Sequence, residues 1–175
     1  LGRSEPSVLI SNARFKTIFS ISVPIIGGMV SQNVMNLVDT AMVGRLGNAS
    51  LAAVGMASFL TFFSQAFLTG LSTGVQAMVA RLKGAGQADG LTNPLHGGLL
   101  LALIIGVPSS LVLFIFAEDI FPLVNDDPDV VQIGSQYFQI RVLAIACVGM
   151  NFCFRGYWNA VNLSAIYMRT IILMH

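Results

Sequence analysis

The chain has 175 residues, 55% of them hydrophobic and 10% charged, with a formal net charge of +1 and a mean hydropathy of +0.78. Soluble domains carry about 25% charged residues, so the composition excludes an ordinary soluble protein. Without a basic surplus, nucleic acid is not an expected partner.

The first apolar stretch, 17–44, has 28 residues between Lys16 and Arg45, and Asp39 is its one charge. About 20 apolar residues cross a bilayer, so the stretch predicts a membrane-spanning helix behind a short N-terminal segment, 1–16. Its apolar run is too long for a cleavable signal and holds internal polar residues. At helical spacing Pro24, Gly28, Gln32, Asn36, Asp39 and Thr40 share a stripe. Val30, Val34, Leu37 and Met42 lie elsewhere and can face lipid. Polar groups in hydrocarbon need partners or water. The stripe therefore predicts a cavity wall or a polar helix interface, with Gln32, Asn36 and Thr40 as lining candidates.

A network that only holds helices together is the plainer reading of such a stripe. A carboxylate exceeds what that needs, because it costs about 2.5–3.5 kcal/mol to insert and Ser, Thr or Asn would bond at lower cost. Asp39 precedes Arg45 by six residues, about 9 Å along the axis, which places it in the outer half of the membrane. There it can exchange a proton or hold a cation such as Na⁺. One charge crossing the membrane potential supplies ~2.3 kcal/mol per 100 mV, enough to drive an opposing flux.

The second stretch, 51–80, has no Asp, Glu, Lys or Arg. Thr61, Gln65, Thr69, Ser72 and Gln76 share a face, which suits either a cavity wall, with Gln65 the candidate, or close helix packing. The glycine-rich connection 83–90 lacks a preceding strand and a following Lys-Ser/Thr, so it reads as a turn and not a phosphate cradle. A third stretch, 91–117, follows; His96 near its start reads as interfacial. Pro24 and Pro108 sit inside the first and third stretches, where each removes a backbone bond and can kink the helix.

The fourth stretch, 130–161, is read as one crossing interrupted by Arg141 and Arg155. Asn151, Arg155 and Asn159 recur every four residues, making Asn151 and Arg155 lining candidates, although both arginines can also snorkel to the interface. Cys147 and Cys153, six residues apart, point in different directions and read as packing residues. The last stretch, 163–175, has thirteen residues, about 20 Å of helix against a ~30 Å core, and reads as the interrupted start of a fifth span.

Seven of the nine basic residues (Arg3, Arg14, Lys16, Arg81, Lys83, Arg155 and Arg169) fall on one side of this layout, assigned to the cytoplasm together with the N-terminus. Glu118, Asp119, Asp126, Asp127 and Asp129 fall on the other side, and read as a solvated external face because no His or Cys joins them as a metal site. The protein is thus expected to be integral to a plasma membrane, with a bacterial inner membrane the fitting one.

Three segments carry a family resemblance. PIIGGMVSQNVMNLVDTAMVGRLG (24–47) with LAAVG (51–55) resembles the first helix and second-helix start of the multidrug and toxic compound extrusion (MATE) transporters. GLSTGVQAMVARLKGAG (70–86) resembles the end of their second helix, and NFCFRGYWNAVNLSAIYMRT (151–170) their fourth running into the fifth. The resemblance implies an all-α polytopic membrane protein: the first four helices and the start of the fifth in a six-helix lobe, two such lobes enclosing a cavity. It implies rocking alternating access and export of organic cations or other amphipathic, drug-like compounds in exchange for Na⁺ or H⁺, with no cofactor and no enzymatic step. By the same resemblance Asp39 takes the cation-coupling role, and further helices of the transporter are required to complete the pathway.

Two rival readings follow from the same residues. A lipid-linked precursor flippase of the same superfamily would want a more basic cavity than Arg141 and Arg155 provide. An inactive truncated membrane fragment would account for the short last stretch. A membrane enzyme has less support: there is no His-Glu-x-x-His, no second intramembrane Asp and no Ser/His pair within one span.

Overall fold

Residues 12–87 and 89–174 are described in the computed structural model. The apolar stretches all become helices, and no strand forms among the described residues. Helix α1 spans Asn12–Gly44, α2 Asn48–Gly84 and α3 Asn93–Ile115. A short α4, Ala117–Ile120, and a 3-10 turn, Phe121–Leu123, lead to α5, Pro128–Val142. Helix α6 is Ile145–Ala160 and α7 is Ser164–Met174. Most of the N-terminal segment 1–16 lies outside the described residues.

Three helices are long and apolar enough to cross a bilayer. The fourth stretch forms two helices, α5 and α6, bent by 50° at a short break, which together are long and apolar enough for one broken span. No Pro or Gly stands at the break, whose residues are Val142, Leu143, Ala144 and Ile145. Gly106 of α3 is pressed so close to α6 that a Cβ there would lie 2.8 Å from the Ala146 Cα. Pro24 and Pro108 lie inside α1 and α3, which run on through them.

Helix ends follow local chemistry. The Asp127 carboxylate accepts the Asp129 N–H at 3.0 Å and Pro128 occupies the first turn, which starts α5. Gly86, at φ 72°, ends α2 while Gln87 N–H reaches back to the Leu82 carbonyl at 3.1 Å. Asn162, at φ 63°, ends α6 in the same way, with Leu163 N–H on the Trp158 carbonyl at 2.9 Å.

Helices α2, α3, α5 and α6 form the packed body. Ala57, Leu68, Phe138, Val142 and Ile145 fill the half nearer the acidic connection, where the Phe121 ring lies tilted against that of Phe138 with centroids 5.8 Å apart. Val75, Val79, Leu95, Ala102 and Cys153 fill the half nearer the basic connections. Helix α1 stands apart from this body. It rests mainly on α7, with a smaller contact to α2. Gly28 is its one fully buried residue among those described.

Candidate transport site

The stripe on α1 forms as a polar ladder. Gln32 Nε2 donates to Asn36 Oδ1 at 3.4 Å, and Thr40 Oγ1 donates to the Asn36 carbonyl at 2.8 Å. Asp39 lies beside them, exposed, as do Gln32, Asn36 and Thr40. Among the described residues nothing is hydrogen-bonded to the Asp39 carboxylate. Val30, Val34, Leu37 and Met42 are exposed too, with Leu37 at 70%. This half of α1 is therefore largely exposed on both its polar and its apolar sides within the chain. The oxygen-rich set of Asp39, Asn36 and Thr40 suits a proton or a hard monovalent cation. Among the described residues no three His, Cys, Asp or Glu gather as a multidentate metal centre.

Helix α2 treats its polar residues differently. Thr61 is buried and its hydroxyl donates to the Ala57 carbonyl at 2.7 Å, while Ser64 donates to Leu60 at 2.7 Å and Thr69 to Ala66 at 2.6 Å. These hydroxyls satisfy themselves on their own helix, the packing role the small residues also allowed. Gln65 is half-buried.

Asn151 and Arg155 belong to a second cluster at the basic end. Arg155 Nε donates to Ser72 Oγ at 3.4 Å, and its guanidinium stacks on the Phe152 ring at 4.6 Å from the centroid. It also faces the Tyr167 hydroxyl. Tyr167 donates to Asn151 Oδ1 at 3.2 Å. The side chains thus lock α2, α6 and α7 together. Gly156 permits this, because a Cβ there would strike the Ser72 backbone carbonyl. Lys83 adds a further tie, donating to the Val161 carbonyl at 2.8 Å and so covering the end of α6.

Tyr167 was not a candidate from the sequence, since it sits in the short last stretch and its partner is sixteen residues away on another helix. Asn159 shares the face of Arg155, and its buried Oδ1 has no partner among the described residues. At the other end Arg141 donates to Ser58 Oγ at 3.2 Å and to the Tyr137 hydroxyl at 3.1 Å, tying α5 to α2 in place of a free snorkelling reach. An apolar groove of about 610 Å³ runs between α2 and α3, past Gly74, Val75, Met78, Gly98 and Leu101, with Asp89 at its rim. None of the residues proposed for the site lines it.

A family model described as MatE matches residues 24–174. The probable multidrug resistance protein NorM of Synechococcus sp. is 29% identical over 161 residues, covering 91% of this chain and 34% of that protein. The multidrug resistance protein NorM of Vibrio cholerae is 35% identical over 97 residues, 55% of this chain and 21% of its own length. Among solved structures, a MATE protein in complex with MaL6 superposes with a TM-score of 0.85 at 26% identity, over 90% of this chain and 35% of that one. An outward-facing multidrug resistance MATE transporter of the MOP superfamily gives 0.82 at 26% identity, again over 35% of its length. The chain spans about a third of the length of these relatives in the broadest matches. With its apolar spans and these motifs, the chain is an integral membrane protein and belongs to the MatE family, the multidrug and toxic compound extrusion transporters.

Proposed function

We propose that the chain supplies part of the N-terminal lobe of a secondary multidrug exporter, and that Asp39 couples the entry of Na⁺ or H⁺ to the exit of amphipathic organic cations. The observation that carries this reading is the open polar ladder on α1. An acid that costs about 2.5–3.5 kcal/mol to insert lies beside Gln32, Asn36 and Thr40 on a helix whose own chain leaves that edge uncovered. A carboxylate so placed serves two occupants. It attracts a cationic substrate in one half of the cycle and takes a proton or Na⁺ in the other, and the exchange links the two fluxes. Gln65, Asn151 and Arg155 add polar wall from the other helices, with Arg155 repelling cations from the basic end. The clustering of Lys and Arg at that end supports a cytoplasmic N-terminus and residence in a bacterial inner membrane.

Ion-driven dye efflux from cells bearing the whole transporter tests the role. Asp39→Asn is expected to abolish ion-driven efflux while membrane insertion is kept, and Asp39→Glu to keep a measurable fraction. Wild-type efflux in Asp39→Asn would remove Asp39 from the mechanism.

A further inference from the structure

Asp39 is held in place indirectly. Helix α1 leans on α7, and Met168 meets two of its glycines there. A Cβ at Gly27 would lie 3.1 Å from Met168 Sδ, and one at Gly28 would lie 4.0 Å from the Met168 Cα. Beyond this saddle Gln32, Asn36, Asp39 and Thr40 are all exposed, until the connection to α2. Asp39 lies eleven residues past Gly28, about 16 Å along the axis. A tilt of about 10° at the saddle therefore displaces Asp39 by about 3 Å, the span of a whole hydrogen bond.

Helix α7 is in turn fixed by the neighbour of Met168. Tyr167 points the other way, to α6, where it donates to Asn151 at 3.2 Å beside the Arg155 guanidinium. Arg155 reaches on to Ser72 of α2 at 3.4 Å, so the tie ends in the packed body. Adjacent residues on one short helix thus face opposite ways: Tyr167 anchors α7, and Met168 bears on α1.

We propose that Tyr167 is a positioning residue for Asp39: its hydroxyl pins α7 to Asn151, and through Met168 this pin sets the tilt of α1 and hence the place of the coupling carboxylate. The inference rests on the reading of Asp39 as the coupling group. It adds a dependence that Asp39 alone does not have: the ion response of transport should change when a hydroxyl that does not touch Asp39 is removed.

The test uses the whole transporter in proteoliposomes, with dye transport followed against Na⁺ concentration and against pH. Tyr167→Phe removes only the hydroxyl. It should shift the half-saturating concentration of the driving ion by about threefold, the size of one interhelical hydrogen bond in a bilayer, with a smaller change in maximum rate. Asn151→Leu should give the same shift, and the double variant should add nothing further. Spin labels at Met42 and Ile140, both exposed, should report a changed or broadened α1–α5 distance in Tyr167→Phe. An unchanged ion response together with an unchanged distance overturns the proposal. A fall in maximum rate alone, with the ion response unmoved, also overturns it and leaves Tyr167 a structural residue. Asp39→Asn runs alongside: if that variant keeps ion-driven transport, the coupling reading fails, whereas its loss beside a normal Tyr167→Phe sinks the positioning role alone.

Discussion

Asp39 and Gly156 show two ways in which single residues matter here. Asp39 is legible from sequence because a carboxylate among apolar residues has no cheap explanation. Gly156 is legible only in the fold, where it lets α6 lie against the Ser72 carbonyl. Gly156→Ala should push these backbones apart, since overpacking in a filled contact costs about 1–3 kcal/mol. A lowered midpoint of thermal unfolding in detergent would report it; an unchanged midpoint would show that α2 and α6 have slack the contact denies. Tyr167 marks the limit of reading one sequence. Helical periodicity says which residues share a face but not which helix that face meets. Its bond to Asn151 and the bond from Arg155 to Ser72 cross 16 and 83 residues.

At the scale of elements, the positions of the helices follow from apolar length and from turn chemistry, and the all-helical fold expected from them is the one observed. The break between α5 and α6 does not follow. Val142, Leu143, Ala144 and Ile145 contain no helix breaker, so nothing in the periodicity of 130–161 could have marked it. Just past the break, Gly106 of α3 admits the Ala146 backbone. A larger residue there should alter the angle. With labels at Ile133 and Phe154, one on each arm and both exposed, Gly106→Val is expected to shift the interlabel distance by about 2 Å or more, given the ~5.4 Å rise of one helical turn. An identical distance would mean that the bend is intrinsic to the segment.

Taken as a whole, the molecule has a firm body and a lightly held arm. Helices α2, α3, α5 and α6 share two buried clusters, and ties such as Arg155 to Ser72, Lys83 to Val161 and Arg141 to Ser58 fasten both ends. Helix α1, with the candidate coupling acid, lies outside this body on α7. The distribution of charge sets the orientation we propose. In a variant without Cys147 and Cys153, a cysteine at Asp126 should react with an impermeant maleimide from outside intact cells, and one at Gln87 only after the membrane is opened. The reverse pattern would invert the topology and put Asp39 in the inner half of the membrane.

The central claim is that Asp39 links two fluxes, and it is tested most directly by recording both in one preparation. Proteoliposomes carrying the whole transporter are loaded with a fluorescent organic cation, and ion entry and dye exit are followed together after an inward Na⁺ or H⁺ gradient is imposed. The account predicts that the two fluxes rise together in the wild type, and that Asp39→Asn loses the gradient-driven component of both. Coupled fluxes of normal size in Asp39→Asn would contradict it.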